Sequence, residues 1–434
     1  MTILHETIIT KTDAPRPLAD NVLATSPSAP QDLPCLLEEL QVAGASFLRG
    51  DTDERLQVVH LAQSIVHAMR TPRETVLQYS FAQFAVFSAI EICIDLGIFS
   101  ILTGSNGPKT AQELAEETGT DASMLARILK HLAAMMVIVE TGPDEYKSNS
   151  ISQTLAVRRY SDMWPCALID RVDCIRGAAQ ALPTWLKQNA YQSPTNGIDC
   201  PFTTGYNTKL AFYEWLHANP HNPSLASQFA GVMSAYRQNS KSWMDGDSYP
   251  LHDRLICEAR TGKDDVFLVD VGGSVGHDLL ELRRKWPSLP GKLILQDLPA
   301  VVENVGILED IQVMAYDFFT TQPRRRPGAR VYYLHSILHN WNDEKCRQIL
   351  AQLAAAMAPS YSVLLIHDNV IPDMGAHWEA TAMDIMMMVN VAAKERTRDQ
   401  WSALLESEGL TVGGIWTLGT GVESLVECRL SHSA

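Results

Sequence analysis

No uninterrupted apolar run in these 434 residues reaches the roughly 18 needed to cross a bilayer, so no membrane span is expected. Positive charge is in deficit: 35 Lys and Arg stand against 50 Asp and Glu, a formal net charge of −15, which argues against a general nucleic-acid binder. The eight cysteines (35, 93, 166, 174, 200, 257, 346 and 428) include no C-x-x-C pair. That excludes a cysteine-paired zinc site and leads us to expect no metal. It reads instead as a reduced, intracellular and cytoplasmic protein whose thiols serve as small buried hydrophobes. The first residues have no signal-type apolar core. Residues 1–34 are polar and rich in Pro and Ser, and are expected to form a poorly ordered leader. The length, by contrast, is ample for two or more domains.

The most informative stretch present is Val266-Phe-Leu-Val-Asp-Val-Gly-Gly-Ser-Val-Gly-His277. An apolar run, an acid, three glycines (272, 273, 276) and a helical pattern (Leu279, Leu280, Leu282) predict a buried strand turning sharply into a helix. Glycines there let the backbone approach a ligand. Asp297 follows the next apolar run, 21 residues after Gly276, a spacing that suits a carboxylate holding a ribose diol. A nucleoside-bearing cofactor is the first expectation. The spacing is G-G-x-x-G rather than G-x-G-x-x-G, and no Lys-Ser/Thr follows, so a dinucleotide site and a P-loop both fit poorly. A tight strand-to-helix turn with no ligand remains open on this loop alone.

From Val266 onward, strand and helix patterns alternate (266–271, 277–286, 292–296, 299–306, 311–315, 330–335, 343–357, 361–367), which predicts a parallel sheet covered on both faces with ligands at the carboxyl ends of its strands. Upstream, residues 35–70 read as helical, and Glu74–Leu96, rich in Phe and Ile, reads as a helix apolar on most sides, suited to a buried or intermolecular position. Thr110–Gly119 opens with a capping box (Thr110, Glu113). A second amphipathic helix from Asp121 to Met136 and short β segments complete a winged-helix pattern. Its second helix offers only Arg127, Lys130 and His131, faced by Glu113, Glu116 and Glu117, so dimerisation is favoured over DNA binding. Residues 160–260 are aromatic-rich, in the manner of a helical connection that also walls a pocket. The expected division is leader 1–34, helical winged-helix dimerisation domain 35–160, connecting and pocket region 161–260, and an α/β Rossmann-like catalytic domain 261–434.

The strand ending at His335 runs into Ser336-Ile-Leu-His339-Asn-Trp-Asn-Asp343, and a new helix starts near Asp343 with Asn342 as N-cap. His339 therefore falls on a loop at the ligand edge, where a neutral imidazole could take a proton from a phenol-like hydroxyl. A lone His ahead of a helix is equally a capping or packing residue. Asp368 closes the strand Val363–Asp368, and Glu395 precedes a helix read over Trp401, Leu404, Leu405 and Leu410. Carboxylates flanking a base His fix its tautomer and stabilise the imidazolium, although each acid alone is more often a cap or a solvated charge.

Taken together, Val269-Asp-Val-Gly-Gly-Ser-Val-Gly, Gln296-Asp-Leu-Pro, Tyr316-Asp-Phe-Phe, His339-Asn-Trp-Asn-Asp and Lys394-Glu-Arg-Thr resemble, in order, motifs of the plant- and fungal-type O-methyltransferases. The resemblance spans about residues 60–430. It implies S-adenosylmethionine as cofactor, with contacts from Gly272, Gly273, Asp297, Leu298, Asp317, Phe318 and His335. It implies His339 as catalytic base flanked by Asp368 and Glu395, and substrate contacts from Met386, Asn390 and, more loosely, Phe229 and Met233. A homodimer formed through the N-terminal domain and an aromatic or polyketide-like small-molecule substrate are implied as well.

Three positions depart from the family pattern. Asn340 replaces the usual acid after the base, Asp368 is shorter than the usual Glu, and His335 stands where another basic residue is common. The leading expectation is an O-methyltransferase of secondary metabolism. The alternative is a pericyclase or dehydratase on the same fold, which keeps the cofactor without consuming it. A third, a non-catalytic regulator, would need DNA or sensing surfaces that the charge pattern does not supply.

Overall fold

The computed structural model describes residues 19–51, 54–161, 164, 175–218, 241–303, 305–306, 308–323, 328–419 and 423–431. The chain divides into two compact units, 1–157 and 158–434.

The first unit is mostly helical. Helices Leu33–Leu48 and Glu54–Met69 pair, and residues 19–34 hold a short helix (Ala19–Thr25) and a 3-10 turn (Pro30–Asp32). The Phe/Ile-rich segment is helical from Pro72 to Asp95, with a π-helical turn at Gln78–Ala82. Thr71 and Glu74 cap its start reciprocally. Only one face is buried, through Ala89, Ile90 and Cys93, while Phe81 and Phe84 are 68% and 71% exposed. By length and composition alone this is the one described helix apolar enough to cross a bilayer.

The winged-helix pattern folds as expected. Thr110 accepts from the Glu113 amide at the start of Ala111–Thr118, and Asp121 caps Ala122–Ala134. Leu114, Leu125, Leu129 and Leu132 are buried between these helices and a small sheet. That sheet comprises β1 (Lys109–Thr110), β2 (Val139–Gly142) and β3 (Glu145–Lys147), in the order β1-β3-β2.

The second unit is built on seven strands. These are β4 (Val266–Val271), β5 (Lys292–Asp297), β6 (Ile311–Ala315), β7 (Val331–His335), β8 (Val363–Asp368), β11 (Leu410–Thr417) and β12 (Ser424–Leu430). Their order is β11-β12-β8-β7-β4-β5-β6. The five strands from β4 to β8 are parallel, as the strand–helix alternation requires. The sheet as a whole is mixed, because β12 pairs antiparallel with β8 and β11 with β12.

This edge corrects one sequence expectation. The helix Arg398–Glu406 stops before Leu410, and Gly409, with φ +71°, turns the chain so that Leu410 opens β11. Two short strands, β9 (Val370–Ile371) and β10 (Arg396–Thr397), pair alongside. Because β4 and β8 are covered on both faces, every residue in them is buried. One face carries Ile349, Leu350, Leu353, Trp401 and Leu405; the other carries Trp243, Tyr249, Leu279 and Leu282.

Candidate active site

The carboxyl ends of β4, β5, β7 and β8 gather most of the residues singled out from the sequence. At the end of β4 the chain turns through Gly272 (φ +77°) and Gly276 (φ +81°), and the helix His277–Lys285 follows. The two adjacent glycines answer to the protein's own packing as well as to any ligand. A Cβ on Gly273 would lie 2.3 Å from Asp270 Oδ2, and one on Gly272 would lie 2.6 Å from Ile337 Cδ1. Asp270, fully buried at the strand end, therefore requires a glycine three residues on.

Asp297 ends β5. Its carboxylate accepts from the amides of Ser274 (2.8 Å) and Leu298 (2.7 Å), so the glycine loop and the β5 loop are tied to one anion. Burial pushes its pKa up, and those two amide bonds work against the shift. Leu298 is exposed beside it. After β6, Asp317 accepts from the Phe319 amide, which turns the chain and places Phe318 against Trp341 and within reach of Gly272. Gly272, Asp297, Leu298 and Phe318 bring a carboxylate with spare lone pairs, backbone and an aromatic ring to one end of the sheet, a set that suits a ribose and an adenine.

His339 sits on a 3-10 turn, Leu338–Asn340, between β7 and the helix Asp343–Ala356, whose N-cap is Asn342 as expected. Its Nδ1 lies 2.9 Å from Glu395 Oε1 and 3.7 Å from Asp368 Oδ1. All three residues are buried. Nδ1 facing a carboxylate carries the proton, so Nε2 is left as the nitrogen that exchanges one. Burial by itself pushes the His339 pKa down. The Asp368 charge, the Glu395 hydrogen bond and the charges of Glu395 and Glu423 outweigh this and hold it at about 9. Asp368 is pushed up to about 7, by burial first, with His339 opposing and the charges of Glu395 and Glu423 adding to the rise. Neither Asp368 oxygen has a hydrogen-bond partner among the described residues. The Glu395 amide is anchored on Asp384 Oδ1 (2.9 Å).

Two residues that the sequence motifs contain, but to which no role was assigned, support this turn. Arg396, fully buried, donates to the carbonyls of Leu338 (3.1 Å) and Trp341 (2.9 Å) and to Asp343 Oδ1, clamping both ends of the turn that bears His339. Asn340 donates to the Ser336 carbonyl (2.8 Å) and accepts from Tyr213 Oη (2.7 Å), so a polar neighbour occupies the place of the family's acid.

His335 ends β7. It lies between Asp278 (Nδ1 to Oδ2, 2.5 Å) and Glu423 (Nε2 to Oε2, 3.0 Å) and stacks on His367 at 4.1 Å between ring centroids. Met386 and Asn390 lie on the helix Trp378–Val391, against a small core of Phe202, Phe212 and Val389. Asn390 is buried, and its Oδ1 has no partner among the described residues. Much of the aromatic content of the 160–260 region is therefore core: Trp243 packs on Tyr333 and Tyr249, and Phe202 on Phe212 and Trp215. Phe229 and Met233 lie outside the described residues.

Comparison with known proteins shows the family. Residues 263–411 match the O-methyltransferase domain, and residues 77–158 match the O-methyltransferase dimerisation domain. The chain is 36% identical to methyltransferase cfoC of Aspergillus candidus over 86% of its own length and 90% of that protein's. It is also 36% identical to the demethylsterigmatocystin 6-O-methyltransferase of Aspergillus parasiticus, over 74% and 79%. Among solved structures, LepI in complex with SAM superposes with a TM-score of 0.78 at 28% identity, covering 90% of this chain and 97% of that one. A structure described as "A Pericyclic Reaction enzyme" matches with the same score and identity over 92% and 100%. S-adenosylmethionine is the cofactor that goes with this fold and these motifs. The chain belongs to the O-methyltransferase family, with a helical dimerisation domain ahead of a Rossmann-like catalytic domain.

Proposed function

We propose that the protein methylates a hydroxyl group of an aromatic or polyketide-like secondary metabolite, with His339 as general base. The observation that carries this is a buried imidazole at the ligand edge of the sheet, with Nδ1 turned to two carboxylates and Nε2 available. When bound, the cofactor supplies a methyl group on a sulfonium, an electrophile that reacts faster with an oxyanion than with a neutral hydroxyl. Asp297, Leu298, Gly272, Gly273, Asp317 and Phe318 are the residues we assign to holding it. His339 Nε2 accepts the hydroxyl proton, Glu395 keeps the ring oriented through Nδ1–H, and Asp368 adds negative charge that stabilises the imidazolium so formed. Arg396 holds the turn in place. Met386 and Asn390 are assigned to the substrate side.

The exposed side chains of Val76, Tyr79, Phe81 and Phe84 lie on or next to the segment matched as dimerisation domain, and support a homodimer formed through it. Its apolar composition is then explained by a partner subunit rather than by lipid.

The test is to incubate the purified protein with S-adenosylmethionine and a panel of phenolic and polyketide hydroxyl compounds. Formation of S-adenosylhomocysteine and a product heavier by one methyl group is expected. His339→Ala should lose about 10²–10⁴-fold in rate; an unchanged rate would refute the base assignment.

A second reading, a cyclase or dehydratase that keeps its cofactor intact, is supported by the likeness to the pericyclic enzyme and by Asn340, Asp368 and His335 at the departing positions. It predicts a substrate converted at unchanged or water-depleted mass, with no S-adenosylhomocysteine formed.

A further inference from the structure

Ser336 is a non-glycine residue with φ +51°, directly at the exit of β7 and three residues before His339. Such a conformation costs about 1–3 kcal/mol and persists only where neighbours over-determine it. Three contacts do so. The Ser336 amide donates to the His367 carbonyl (2.9 Å), its carbonyl accepts from Asn340 Nδ2, and its hydroxyl donates to Glu423 Oε1.

Glu423 is buried just ahead of β12, at the antiparallel edge of the sheet. Its other oxygen faces His335 Nε2 while Asp278 faces His335 Nδ1, so both ring nitrogens meet carboxylates. Two facing carboxylates require both nitrogens to donate, which makes His335 an imidazolium. Its stacking partner His367 is held differently. Trp243 Nε1 donates to Tyr333 Oη, and Tyr333 Oη lies 3.0 Å from His367 Nδ1. With the Tyr333 oxygen already accepting from Trp243, its hydroxyl proton serves Nδ1 and leaves His367 neutral, with its Nε2–H toward Glu423 at 3.9 Å. The Nε2 atoms of the two stacked rings approach the same carboxylate oxygen, Glu423 Oε2, at 3.0 and 3.9 Å, so either protons or a metal ion would join these three side chains, a distinction that metal binding tests.

We propose that Glu423 is a positioning residue for His339: its carboxylate holds Ser336 in the left-handed turn and His335 in its charged form, and through that turn it sets where the His339 imidazole stands. The titratable groups facing His335 are Asp278, Glu423, His367 and Tyr333, with Asp368 near enough to couple by charge. The proposal rests on His339 being the base, and the test separates the two.

The test uses the full-length protein with histidine labelled at Cε1, its ring signals assigned from His335→Gln and His339→Gln variants and titrated by NMR without any ligand. Glu423→Gln is expected to lower the His335 midpoint by about 1–3 pH units and to lower that of His339 as well, with Glu423→Asp giving partial recovery. In methyl transfer, Glu423→Gln is expected to lower kcat by about tenfold or more with the cofactor KM changed less than threefold, as for a displaced base. Ser336→Gly, which adopts the same φ without strain, should keep more activity than Ser336→Val. Unchanged midpoints for both histidines in a Glu423→Gln protein that still melts cooperatively would overturn the proposal. So would one equivalent of Zn²⁺ or Co²⁺ bound by the wild type and lost in Glu423→Gln, since a metal rather than a proton would then join these groups. If instead His339→Ala keeps full activity, the base assignment fails while the titration still reports on Glu423.

Discussion

Replacing Asp368 by Asn removes a buried charge with little change in shape, and its consequence for pH dependence can be worked out from the site. His339 is held at about 9, against an ordinary 6.5, and Asp368 is the largest of the contributions that raise it. A base works in its neutral form. With a midpoint near 9, only about 1% of the imidazole is neutral at pH 7, so the rate should climb with pH until it levels off near that midpoint. The carboxylate at 3.7 Å favours the charged ring, and an opposite charge at such a distance is worth about 1–3 pH units. Asp368→Asn should therefore move the limb down to between about pH 6 and 8. At pH 7 the variant would hold a larger neutral fraction of a weaker base. Its rate relative to its own plateau rises, while the plateau falls by up to about tenfold. The assay is kcat/KM for methyl transfer across pH 6–10, which reports the free enzyme, with thermal melting as a control because the new amide meets no partner in place. A limb that stays near 9 in a folded Asp368→Asn protein would refute the claim that Asp368 sets the basicity of His339. A wild-type rate flat from pH 6 to 10 would refute the raised base itself.

Three other outcomes follow from the same geometry. Gly273→Ala is expected to lose cofactor binding and about 1–3 kcal/mol of stability, because the new Cβ meets Asp270 Oδ2 at 2.3 Å; calorimetric titration with S-adenosylhomocysteine and a denaturant melt would check both. Asp297→Ala should weaken that titration by at least about tenfold while leaving the fold cooperative, since its carboxylate keeps lone pairs beyond the two backbone amides it accepts from. Phe81→Glu together with Phe84→Glu should shift the protein from dimer to monomer in sedimentation, because both rings are more than two-thirds exposed on the helix assigned to the partner; an unchanged sedimentation coefficient would move the interface elsewhere.

What could be read from the sequence was what local chemistry dictates. The β4 glycine turn, the Thr110 capping box, the Asn342 N-cap and the strand–helix alternation each depend on residues within a few positions of one another, and each stands as expected. Asp368, Glu395 and His339 were legible as single residues at strand ends and loop starts. Their convergence depends on the parallel register of β7 with β8 and on where the 395 loop lands, which no local pattern encodes.

The residues whose roles the sequence did not reveal are bound to the site by long-range pairs. Arg396 reaches back to Leu338 and Trp341. Glu423 reaches His335 and Ser336 only because β12 runs antiparallel beside β8, with Ser424 opposite Asp368. The strand edge was hidden because Leu410 continued an apolar helical face and the Gly413–Gly414 pair weakened the strand signal, so the position of Gly409 past the helix end was the only cue available. His335 shows the same limit from the other side. The family resemblance implied a cofactor contact for it, yet both its nitrogens are taken by Asp278 and Glu423. Whatever His335 does for the cofactor, it therefore does through the charge of that three-residue group, two carboxylates and one imidazolium with a net charge of −1. Such a group suits the positively charged sulfonium and ammonium of S-adenosylmethionine better than its carboxylate.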